Sequence, residues 1–102
     1  MYAVLRINSF DPGKLASSSE ALDAFDKVHS AQPGYLGSAV VDLGAGRRFA
    51  LNLWQSQEHS LAALSVLGAE VERLLGPLMS GPSEFIGAGA VISSDLVPAT
   101  VA

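Results

Sequence analysis

Tyr35-Leu36-Gly37-Ser38-Ala39-Val40-Val41-Asp42-Leu43-Gly44-Ala45-Gly46-Arg47-Arg48-Phe49-Ala50-Leu51-Asn52-Leu53-Trp54 holds two runs suited to extended backbone, Tyr35–Leu43 and Arg47–Trp54. The runs flank the short Gly44-Ala45-Gly46 loop, so the segment reads as a β-hairpin. Side chains alternate across a strand. Phe49, Leu51 and Leu53 therefore share one face of the second run, and Arg48, Ala50, Asn52 and Trp54 share the other.

Each side of the hairpin carries a helix and then a strand. Upstream, Asp11-Pro12 is a helix start, with an N-cap carboxylate before a proline suited to the first turn. Leu15, Leu22, Phe25 and His29 recur at helical spacing, and Gln32-Pro33-Gly34 stops the helix. Before it, Tyr2–Asn8 alternates as a strand, with Ala3, Leu5 and Ile7 on one face and Tyr2, Val4, Arg6 and Asn8 on the other. Downstream, Ser56 is an N-cap and Glu58 suits the helix dipole. The helix carries Leu61, Leu64, Leu67, Val71, Leu74, Leu75 and Leu78, with Gly68 as an expected kink, Gly76-Pro77 weakening its end and Gly81-Pro82 as its stop. Glu84–Ile92 is the fourth strand, loosened by Gly87 and Gly89.

The order β-α-β-β-α-β predicts an α+β, ferredoxin-like subunit: a four-stranded antiparallel sheet with both helices on one face. The expected organisation is a single domain over residues 1–92 with a C-terminal tail over 93–102. Both faces of the first and third strands carry large apolar groups, whereas a solvated face reads as polar. Mean hydropathy is +0.35. Both features predict a homodimer with two sheets packed face to face.

Composition narrows the function. Apolar residues make up 49% of the 102 and charged ones 16%, which excludes a disordered chain. A net charge of −4 argues against nucleic acid as partner, since that needs a basic stripe. No cysteine is present, so disulfide scaffolds, thiolate metal sites and thiol nucleophiles are excluded. The amino-terminal residues lack a signal-peptide pattern, and no apolar run approaches the ~18–20 residues of a membrane span. The expected location is the cytoplasm. No Walker loop or helix-opening G-x-G-x-x-G occurs, and the two histidines lack a metal-ligand spacing, so no metal is expected.

Three motifs in order carry a resemblance. Arg6-Ile7-Asn8 lies on the first strand, Gln32-Pro33-Gly34-Tyr35-Leu36-Gly37 enters the second, and Asn52-Leu53-Trp54-Gln55-Ser56-Gln57-Glu58 leaves the third. Over residues 1–92 the chain resembles the antibiotic biosynthesis monooxygenase (ABM) family. The resemblance implies a dimeric α+β barrel and a small-molecule oxygenase that needs no cofactor and acts on an electron-rich aromatic such as a phenol or hydroquinone. In the family's haem-degrading branch, an Asn on the first strand joins a Trp and a His on the second helical region. Asn8 matches the Asn, but Ala63 stands where the Trp would fall and Glu72 or Arg73 where the His would, so haem is disfavoured.

Cofactor-free oxygenation needs a dry pocket with a base and a few donors. Asn52 and Trp54, two residues apart on one strand, offer an amide and an indole N–H to a developing oxyanion. Asn8 and Arg6 face the same way on the first strand, and a guanidinium can hold a phenolate. His29 is the candidate base. The expected catalytic residues are thus Asn52, Trp54 and His29, with Asn8 and Arg6 binding substrate. The structural alternative has Trp54 capping the core, the two asparagines bonding each other or loop backbone, and Arg6 neutralising a carboxylate such as Glu84. His59 and the Arg47-Arg48 pair read as surface residues. Two competing functions remain on the same fold: a non-catalytic ligand-binding or accessory dimer, and a structural dimer with a filled interior.

Overall fold

A computed structural model describes residues 1–95. In chain order the elements are β1 (Tyr2–Ser9), α1 (Pro12–Ala16), α2 (Ser19–Ser30), β2 (Tyr35–Gly44), β3 (Arg47–Trp54), α3 (Gln57–Glu70) and β4 (Glu84–Ala90). The four strands form one antiparallel sheet in the order β2-β3-β1-β4. This is the α+β, ferredoxin-like arrangement that the element order predicts. Most of the tail, residues 96–102, lies outside the described residues.

The hairpin closes on Ala45 and Gly46, both at positive φ (54° and 82°), as a two-residue turn with the strands' own twist requires. Gly46 is needed here for a second reason. A Cβ on it would strike the Phe10 carbonyl, and Phe10 N–H donates to the Gly46 carbonyl at 2.8 Å.

The central pair β1–β3 keeps unbroken register from Tyr2↔Trp54 through Val4↔Asn52 and Arg6↔Ala50 to Asn8↔Arg48. Its faces therefore stay in phase. Both neighbouring pairings shift. Leu36 is an extra residue between Tyr35↔Trp54 and Gly37↔Leu53, and Ile86 is extra between Leu5↔Gly87 and Arg6↔Phe85. An extra residue reverses which face the rest of the strand presents. The bulges thus turn Tyr35 and Phe85 onto the face of Trp54 and Arg6.

The helices differ from their sequence patterns in two places. Asp11 starts α1, its Oδ1 accepting from the N–H groups of Gly13 (3.0 Å) and Lys14 (3.1 Å). The expected single helix then breaks at Ser17-Ser18, whose hydroxyls donate back to the carbonyls of Gly13 and Lys14. Such back-bonding competes with helix continuation. At the other end, Gly68 stays helical. The helix loosens instead into a wide turn at Val71–Leu75, and, as Gly76-Pro77 predicts, its end weakens into a 3₁₀ turn at Gly76–Leu78. Pro77 lacks the N–H that would continue the α-helical ladder there.

Two clusters fasten the helices to one sheet face. Phe10, Leu75 and Leu78 form one with Leu15, Leu22 and Phe25 around them; Trp54, Ala63 and Leu67 form the other with Tyr2, Val4 and Tyr35. Between these clusters the helices and sheet stand apart. Among the described residues no helix is long and apolar enough to cross a membrane.

Candidate active site

The space between sheet and helices is a cavity of about 520 Å³, within the ~300–1,000 Å³ of small-molecule sites. The interior is therefore not filled by side chains, as a purely structural dimer would require. Tyr2, Val4, Arg6 and Asn8 of β1 and Arg48, Ala50, Asn52 and Trp54 of β3 form its floor. Phe25 and His29 of α2 wall one side, and Leu61, Leu64 and Leu67 of α3 wall the other. Leu61, Leu64, Val40 and Phe85 line the cavity yet stay more than half exposed, so its rim is apolar.

All five residues singled out in the sequence border this cavity. Strand alternation brings Asn52 and Trp54 to one end and Asn8 toward the other, with Arg6 between. Asn8 and Asn52 stand four residues apart in register, roughly 13 Å, and do not bond each other. Neither amide makes a hydrogen bond with another described residue, and neither does the Trp54 indole N–H. No buried side-chain nitrogen or oxygen is left without a partner, so these donors are reached from the cavity. Glu84 pairs with Ile7 on the opposite face and forms no ion pair with Arg6. The arginine instead lies over the Phe85 ring, 5.3 Å from its centroid, and donates to Ser83 Oγ at 3.4 Å.

Trp54 has a second role that the sequence anticipated: at 3% exposure it belongs to the core. It also holds His29. The imidazole stacks on Phe25 (centroids 5.6 Å apart) and meets the edges of Tyr35 (5.0 Å) and Trp54 (5.6 Å). Burial in this cage pushes the His29 pKa below its ordinary value, and the nearby Asp26 carboxylate offsets part of that shift. The ring makes no hydrogen bond to another described residue, so its nitrogens are free to take a proton from a ligand. A neutral imidazole near pH 7 is the competent form of a base.

His59 lies elsewhere. Its Nδ1 is 2.7 Å from Ser56 Oγ, which also accepts the His59 backbone N–H at 3.2 Å, so the ring completes the cap of α3. It lies against Gly34, at φ 81°, where any Cβ would run into the imidazole.

Two contributors escaped the sequence reading. Tyr35 reaches the His29 cage only because of the bulge at Leu36. Arg48, read as a solvated hairpin residue, is half-buried and borders the cavity, its guanidinium 5.9 Å from the Phe10 ring centroid. The signal was present in the even spacing of Arg48, Asn52 and Trp54. Among the described residues no three His, Asp or Glu side chains converge as metal ligands would.

No protein-family model matches the chain, and no curated protein sequence does. Solved structures do match. The NE2512 protein of Nitrosomonas europaea, of unknown function, superposes at a TM-score of 0.75 with 16% identity, over 97% of this chain and 95% of its own. SnoaB, a cofactor-independent oxygenase from Streptomyces nogalater, gives 0.71 with 13% identity, over 91% of this chain and 94% of its own. A structure described as an antibiotic biosynthesis monooxygenase gives 0.72 with 10% identity, over 91% of this chain and all of its own. At these identities the likeness establishes a shared fold.

Proposed function

We propose that the chain is a homodimeric oxygenase that needs no cofactor and oxidises an electron-rich aromatic, a phenol or hydroquinone, in the helix–sheet cavity. The observation that carries the reading is the set of uncommitted polar groups, Asn52, Trp54, Asn8 and His29, bordering an otherwise apolar space. A few polar groups that converge on an apolar cavity and bond no other described residue are what a ligand site offers. SnoaB, an oxygenase of the same fold, supports the reaction class.

In this reading His29 removes a proton from the substrate. The resulting anion gives one electron to dioxygen, and the radical pair collapses to a peroxide that takes the proton back from His29. Loss of the C–H proton at the oxygenated ring carbon cleaves the O–O bond, so that carbon and the phenol carbon both become C=O and the second oxygen leaves as water. Dioxygen is the oxidant and the substrate supplies all four electrons. Asn52 and Trp54 donate to the developing oxyanion, while Asn8 and Arg6 bind the substrate. The apolar open sheet face, with Leu5, Phe49, Leu51 and Leu53, packs on a second copy.

The test is dioxygen uptake by the metal-stripped protein against a panel of hydroquinones and anthrones. Asn52→Ala and Trp54→Phe should each lower turnover about tenfold or more. Unchanged turnover in both variants would remove this site assignment. One observation favours a second reading, a ligand-binding dimer without catalysis: the cavity holds a single histidine and, in Asp26, a single carboxylate. Saturable binding of quinones without dioxygen uptake would select it.

A further inference from the structure

Arg6 and Arg48 both border the cavity, on the same face of adjacent strands. Both are half-buried, and neither has a carboxylate partner: among the described residues the ion pair is Arg73–Glu70, on the surface. The nearby acidic groups form no ion pair with them. Asp42 faces Arg48 across the hairpin, its Oδ1 accepting the Gly44 N–H at 2.8 Å, and does not close an ion pair with it. Glu84 is on the other face of the sheet. Asp26, the cavity's own carboxylate, acts on His29 and pairs with neither arginine. Partly desolvating two guanidiniums that form no ion pair is costly, and an anionic ligand lowers that cost.

We infer that the substrate carries a carboxylate, held by Arg6 and Arg48 at the end of the cavity away from Trp54. This rests on the cavity being the ligand site and adds to it the substrate's charge and reach. In register, Arg6 stands two residues and Arg48 four residues from the level of Asn52, roughly 7 and 13 Å along the strands. The acidic group therefore projects from the far side of an aromatic system that lies over Val4, Asn52 and Trp54. Phe10 and Phe85, over which the two guanidiniums sit, hold the cations in place and flank the carboxylate with apolar surface.

Trp54 is the single tryptophan and lines the cavity, so its fluorescence reports binding without turnover. The probes are anthraquinone-2-carboxylate and its neutral carboxamide. The carboxylate should bind the wild-type chain about tenfold more tightly or better, with a preference that shrinks as salt rises. Arg6→Gln and Arg48→Gln should each reduce the preference, and the double variant should abolish it. A thermal unfolding midpoint close to that of the wild type reports an intact fold. Equal affinities in the wild type, a preference surviving the double substitution, or no saturable quenching by either probe would overturn the inference. Absence of dioxygen uptake with the preference intact would instead count against the oxygenase alone.

Discussion

His29→Phe separates the proposed base from its structural setting. The imidazole contacts three aromatic rings at 5.0–5.6 Å, and phenylalanine can keep those contacts on the side facing the cage. Its extra volume points toward an existing cavity, so the packing cost should fall at or below the ~1–3 kcal/mol of an overpacked core. Catalysis should fare differently. General base catalysis contributes about 10²–10⁴-fold, which is roughly 2.7–5.4 kcal/mol of barrier. The assay is initial dioxygen uptake with dithranol across pH 5–9, beside thermal unfolding of both proteins. Wild-type activity should fall on an acid limb centred below ~6.5, because burial lowers the His29 pKa and only the neutral ring accepts a proton. The stability sign follows from the same shift. Between the lowered native pKa and ~6.5 the unfolded chain binds a proton that the native chain does not. Stability is therefore full above ~6.5, declines as pH falls through that value, and levels off below the native pKa. His29→Phe should lose the acid limb and this component of the stability decline together. A variant rate within about threefold of wild type, with its acid limb intact, would refute the assignment of His29 as base.

Other consequences concern the hairpin and the open face. Gly46→Ala forces a Cβ into positive φ and against the Phe10 carbonyl, and should cost about 2 kcal/mol or more by urea unfolding. Ala45→Asn at the preceding position should change stability the other way, by about 0.5–1 kcal/mol, because asparagine tolerates positive φ better than alanine. Sedimentation at micromolar concentration should give twice the 10.5 kDa chain mass, and Leu51→Lys on the open face should shift it toward one chain. A wild-type mass of one chain would remove the dimer.

Alternation alone gave the faces of β1 and β3, because period two is a local property and no bulge interrupts their ladder. Arg6, Asn8, Asn52 and Trp54 could thus be grouped from spacing. The hairpin at Ala45-Gly46 and the caps at Asp11 and Ser56 were legible for the same reason: a few adjacent residues carry the whole signal. The extra residues Leu36 and Ile86 were not legible. A bulge belongs to a pairing between distant segments, and only the assembled ladder shows that Tyr35 and Phe85 turn toward the cavity. Arg48 illustrates the same limit. Spacing put it on the inward face, but its lack of an ion pair depends on where Asp26, Asp42 and Glu84 come to lie in three dimensions. The sequence by itself determined the order of elements and the faces of the central strands. The tertiary structure alone decided that a cavity stays open between two core clusters and that Asn8, Asn52, Trp54 and His29 border it without bonding another described residue, since both depend on what does not arrive to fill the space.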